Sequence, residues 1–149
     1  MKKTLPVIIL ASFLLAACAS LSNLPKPEQS EYFTTLGGGF VITLGNPPTY
    51  RYGVNLVITK TLPESAYAVV EFQNPADSSQ PFVMAGPLED LKKMTPSPYP
   101  NVWVLTSPAV QGIATHTNYA VIVSIYSDSS RQTLTARHTQ LVNSEYIQN

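Results

Sequence analysis

Tyr52, Val54, Leu56 and Ile58 fall on one side of an extended chain, and Asn55 and Thr59 on the other. Alternation of this kind through Tyr50–Thr61 marks a strand with one buried face. Shorter runs of the same type recur on either side of it, each closed by turn formers. Phe40–Leu44 ends at Gly45-Asn46-Pro47-Pro48, and Pro63-Glu64-Ser65 leads into Tyr67–Gln73, where Ala68, Val70 and Phe72 share a face. Asn74–Ser79 reads as a loop and Pro81–Ala85 as an edge strand, because proline in a sheet is tolerated mainly at edges. Asn101–Ser107 sets Val102 and Val104 opposite Trp103 and Leu105. Thirteen prolines and eight tyrosines with few charges fit strands and turns.

One segment has helical character. Pro87 suits a helix start, Glu89 and Asp90 favour its positive end, and Lys92 and Lys93 its negative end. Leu88 and Leu91 share a face of this Pro87–Met94 helix, and two turns need a sheet beneath them to persist. The proline-rich stretch Thr95–Pro100 ends it. Seven or eight short strands, one short helix and no strand–helix–strand rhythm define an antiparallel β-sandwich.

The amino terminus has a different logic. Lys2 and Lys3 precede an apolar run from Leu5 to Leu14, and Leu15-Ala16-Ala17-Cys18 follows, with the only cysteine of the chain at its end. Charged, then apolar, then small is the order of a secretory signal and its processing site, and the apolar run is shorter than a membrane span of about 20 residues. The stretch resembles the lipobox of bacterial lipoproteins. That resemblance implies cleavage before Cys18, acylation of its thiol with diacylglycerol and acylation of the new amino terminus. Three acyl chains would hold the protein stably in a bilayer, where one would not. Ala19 and Ser20, with no aspartate after the cysteine, imply the outer membrane, and a periplasm-facing domain is expected. The resulting layout is residues 1–17 as signal peptide, 18–36 as a lipidated flexible tether, and 37–149 as the sandwich. Gly37-Gly38-Gly39 is expected to act as a hinge or bulge, since no Lys-Ser/Thr and no helix follow it as a phosphate loop requires. The carboxyl tail from Asn143 is expected to fray.

Cleavage removes 17 of 149 residues and leaves 132, enough for one domain. Without Lys2 and Lys3, seven basic side chains face nine acidic ones, so no basic stripe exists to bind nucleic acid. Acylation of Cys18 leaves no thiol for a disulfide, and the core alone must hold the fold.

A second resemblance lies in Ile113-Ala114-Thr115-His116-Thr117-Asn118-Tyr119-Ala120-Val121-Ile122-Val123. This stretch resembles the tyrosine corner of fibronectin type III and related immunoglobulin-like sandwiches in Ile113, Thr117, Tyr119, Val121 and Val123, with Thr115 standing where those domains often have proline. The resemblance implies an all-β, antiparallel immunoglobulin-like sandwich in which Tyr119–Tyr126 is strand F, Asp128-Ser129-Ser130 the F–G turn and Thr133–Leu141 strand G. A tyrosine in that place buries its ring and returns its hydroxyl to nearby backbone.

Chemistry finds little footing in the chain. His116 and His138 have no second ligand at metal spacing, and both are expected at the surface or rim. No Gly-x-Ser-x-Gly elbow selects a serine, and Glu89 and Asp90 diverge on a helix. No cofactor, no metal and no enzymatic activity are expected. The expected role is a lipid-anchored protein-binding or assembly module of the cell envelope, with an envelope protein as partner. Its candidate surfaces are the edge at Pro81–Ala85, the loop around Tyr99, and the turn Asp128, Ser129 and Ser130. The alternative is a small-ligand or peptidoglycan binder presenting Tyr50, Tyr52 or Trp103; an envelope hydrolase ranks third.

Overall fold

A computed structural model describes residues 24–147. Seven strands and one helix follow in order: β1 (Phe33–Thr43), β2 (Thr49–Ile58), β3 (Tyr67–Phe72), β4 (Phe82–Pro87), α1 (Leu88–Met94), β5 (Val102–Thr106), β6 (Asn118–Tyr126) and β7 (Leu134–Asn143). They form a three-stranded sheet in the order β1-β2-β5 and a four-stranded sheet in the order β4-β3-β6-β7, with antiparallel pairing throughout. The all-β sandwich expected from the alternation is therefore present, and β4 lies at a sheet edge as its proline foretold.

The core is what the period-two runs dictate. Tyr52, Val54 and Leu56 of β2 and Trp103 and Leu105 of β5 face Ala68, Val70 and Phe72 of β3 and Val121, Val123 and Ile125 of β6, all buried. Rings fill one half of it: Tyr52 stacks on Phe40 at 5.4 Å and meets Phe72 edge-on at 5.9 Å. The Tyr52 hydroxyl crosses between the sheets and donates to the Gln73 carbonyl at 2.5 Å. Gly53 is required at the β2–β5 contact, because a Cβ there would sit 1.8 Å from the Leu105 carbonyl oxygen. Tyr119 starts β6 with its ring buried, and its hydroxyl accepts the Ala114 N–H at 2.8 Å.

Three expectations need correction. The stretch 18–36, expected as a flexible tether, is not unpaired throughout its described part. Glu28 pairs with Thr139 through two backbone hydrogen bonds, and β1 begins at Phe33. Pro25 and Pro27 are the last residues that prevent pairing; the aromatic and β-branched run Tyr32-Phe33-Thr34-Thr35 favours a strand. The glycines lie inside β1, and the irregularity in its pairing falls between Thr35 and Gly37. The carboxyl tail does not fray at Asn143. Ser144 and Ile147 are buried, and the Ser144 hydroxyl accepts the Thr117 N–H at 3.0 Å and donates to the Ala114 carbonyl at 2.5 Å. Thr115 closes the tail by donating its hydroxyl to the Ile147 carbonyl. His138 is not at the rim: only 1% of it is exposed. It pairs with Val123 on the inward face of β7, while Arg137 takes the outward one.

Registers define the two ends of the sandwich. At the distal end lie the β2–β3 loop, α1, the 95–101 loop and the β6–β7 turn. The β1–β2 hairpin, the β3–β4 loop, the β5–β6 connection and the carboxyl tail lie at the other, proximal end. The amino-terminal segment joins the proximal end, since Pro25 borders a groove of about 320 Å³ with Gln73, Ser78 and Pro81. From there it runs antiparallel to β7, past Glu28, and reaches the distal end at Tyr32, whose carbonyl accepts the Thr59 N–H.

Candidate functional site

The distal end is built on α1. Leu88 and Leu91 seat the helix on the core, and the Leu88 N–H reaches the Ala66 carbonyl at 2.9 Å. Its outer side carries Glu89–Lys92 and Asp90–Lys93 pairs at 3.1 and 3.2 Å. Exposed i,i+3 pairs of this kind contribute only a few tenths of a kcal/mol, about 0.2–0.5. Thr95 stops the helix, and its hydroxyl turns back to the Val104 carbonyl. Pro96, Pro98 and Pro100 then stiffen the return to β5. Within that loop the Ser97 hydroxyl accepts the Tyr99 N–H at 3.2 Å, and the Tyr99 carbonyl accepts the Val102 N–H. The ring of Tyr99 is left outside, 65% exposed, over a groove of about 240 Å³ bordered by Lys92, Lys93, Pro96 and Val102.

The β6–β7 turn sits at the same end, beside the 63–66 turn, where the Ser65 hydroxyl donates to the Ser127 carbonyl at 2.8 Å. Asp128 accepts the Ser130 N–H at 2.9 Å and the Ser127 hydroxyl at 3.2 Å. Hydrogen bonds from Ser130 hold its carboxyl below the usual carboxylate value. Arg131 adopts φ 56°, and its N–H returns to the Asp128 carbonyl. Asp128 is thus engaged in shaping its own turn, and Ser129 stands at the exposed tip.

Of the residues singled out from sequence, Tyr99, Asp128, Ser129 and Ser130 share the distal end, and no hydrogen bond or ion pair links the Tyr99 loop to the turn. Val83 marks the β4 edge as an exposed apolar residue. Cys18 lies outside the described residues. Tyr52 and Trp103 belong to the core, which removes two of the three aromatics from any ligand-binding face. No group of His, Cys, Asp and Glu able to hold a metal ion occurs among the described residues. Nor is any of their helices long and apolar enough to cross a membrane.

A polar cluster that sequence reading missed is centred on His138. The Ser30 N–H donates to its Nδ1 at 3.3 Å, so Nδ1 carries no proton and Nε2 does. Nε2 therefore donates to the Thr35 hydroxyl at 2.7 Å, and that hydroxyl donates onward to Gln140 Oε1 at 3.2 Å. Phe33 packs edge-on against the imidazole at 5.9 Å. The cluster joins the amino-terminal segment, β1 and β7, and burial pushes the imidazole below its ordinary pKa against a smaller upward pull from Glu28. The signal was the inward register Ala136, His138, Gln140, Val142, hidden because two of its four members are polar.

No protein family, no curated protein and no solved structure matches this chain.

Proposed function

We propose that this chain is a lipid-anchored envelope protein whose sandwich domain binds another envelope protein through its distal end, without catalysing a reaction. The observation carrying this reading is the polarity of the molecule. The chain arrives from Cys18 at the proximal end, whereas Tyr99 stands exposed at the distal end on a proline-stiffened loop. A rigid, solvent-exposed tyrosine flanked by prolines contributes contact area at little entropic cost, and tyrosine is enriched among residues that dominate interfaces. The lipobox at Leu15–Cys18 supports outer-membrane anchoring. The split of seven strands into three and four, with Tyr119 at the start of β6 holding the Ala114 N–H of the preceding corner, supports an immunoglobulin-like domain.

The test is photo-crosslinking in cells from a residue placed at position 99, followed by purification from membranes. One stoichiometric partner, lost in Cys18→Ser, is the expected result. Tyr99→Ala should weaken that partner's capture by about 30-fold, the effect of losing about 2 kcal/mol at an interface centre. Undiminished capture by Tyr99→Ala would remove the distal loop from the interface.

A further inference from the structure

The proximal end carries an apolar cluster that the fold does not use. From Tyr32 to Tyr50 the chain has no charged residue, and this stretch forms β1 and its hairpin turn. Leu44 at the hairpin tip is 90% exposed, and Val41 and Ile42 just before it are 56% and 45% exposed. Across a groove of about 190 Å³ from Ile42 stands Tyr146, 88% exposed. Leu24, where the described chain begins, is a further exposed leucine at this end. Most charges of the domain lie elsewhere, Glu89, Asp90, Lys92, Lys93, Asp128 and Arg131 at the distal end; those nearest the tip are Arg51, paired with Val41 across the hairpin, and Glu145, next to Tyr146. Three aliphatic side chains and a tyrosine projecting around one tip are costly to hydrate and contribute nothing to the core.

We infer that the proximal tip, Leu44 with Val41, Ile42 and Tyr146, inserts into the interfacial layer of a lipid bilayer. The inference rests on the proposed anchor at Cys18. Only six positions separate that residue from Leu24, so the anchor would keep Leu24, at the same end of the sandwich as the tip, within about 20 Å of the membrane, the reach of an extended chain of that length. Such a tether turns insertion into an intramolecular event at millimolar effective concentration, and weak apolar contacts then suffice. Leucine and isoleucine favour the acyl boundary and tyrosine the headgroup level. The outcome is a sandwich standing on its hairpin, with Tyr99 held away from the bilayer.

The experiment places an environment-sensitive fluorophore on Leu44→Cys, or on Ser129→Cys as the distal control, in the full lipidated protein. The protein is reconstituted in phosphatidylethanolamine–phosphatidylglycerol vesicles. We expect a blue-shifted emission at position 44 that lipid-borne quenchers suppress, and water-like, unquenched emission at position 129. Water-like emission at position 44 would overturn the inference, and so would a blue shift that lipid-borne quenchers leave untouched, which indicates a second copy or another protein over the tip. Labelling of the wild type reads the anchor separately: a Cys18 thiol that accepts the fluorophore is not acylated, and this overturns the anchor and the insertion together. Leu44→Asp, at a site that packs against nothing, should abolish the quenching of a label at Tyr146→Cys while leaving the protein in the membrane fraction.

Discussion

At the scale of single residues, polar side-chain atoms in this core, among the described residues, divide into those that find a partner and one that does not. The Tyr52 hydroxyl reaches from β2 to the Gln73 carbonyl at 2.5 Å and lies 3.4 Å from the Ala120 carbonyl. Burial drives the phenol to stay protonated, raising its pKa, with the neighbouring Tyr119 adding to the effect. Tyr52→Phe keeps the ring and deletes the bond. The expected cost is about 1–2 kcal/mol, read as a lower urea midpoint with an unchanged slope. Trp103 Nε1 is the reverse case, a buried donor with no partner. Its ring is retained for volume against Phe33, 6.4 Å away between centroids, and its N–H is tolerated rather than used.

At the scale of elements, the carboxyl tail behaves as part of the sandwich because Ser144 meets three backbone groups of the Ala114–Thr117 turn. Ser144→Ala leaves the Thr117 N–H and the Ala114 carbonyl without this partner. We expect a loss of about 1–3 kcal/mol and faster hydrogen exchange at the Thr117 amide; exchange unchanged there would show that the tail does not brace the turn. Elements with clean alternation were legible from sequence, β3, β5 and α1 to within one residue and β2 to within three at its end. β2, β3, β5 and α1 carry their apolar positions on one face, and the proline at β4 marked an edge. β1 was only partly legible. Three consecutive glycines erase its pattern, and the irregularity at Leu36 shifts its register, so that its first half read as tether. The tail and His138 were missed for a related reason. Their burial depends on hydrogen bonds to segments far away in sequence, Ser30 and Thr117 among them, and no local period encodes a distant partner. The Tyr99 loop was legible as a loop, while its place opposite the chain entry emerges only from strand order.

At the scale of the whole molecule, His138 couples the incoming chain to both sheets, and this coupling has a pH sign. Its folded pKa lies below its unfolded value of about 6.5, so the unfolded chain takes up the proton first as pH falls. The stabilisation is complete above about pH 6.5 and is lost as pH falls through the folded pKa, because a protonated Nδ1 cannot accept the Ser30 N–H. Urea midpoints should therefore decline as pH is lowered from 7 to 5, and His138→Gln should flatten this dependence while lowering stability at pH 7. An equal slope in both proteins would assign the acid sensitivity to other groups. The antiparallel run of the amino-terminal segment along β7 also decides how the molecule meets mechanical load. For a chain held at Cys18 and gripped by a partner near Tyr99, tension enters at Leu24 and is directed along the strands. The two hydrogen bonds between Glu28 and Thr139, 3.2 and 2.8 Å long, lie across that pull. Under such a load they are strained in shear and share the force, instead of opening one after the other, so the segment would resist being peeled from the domain.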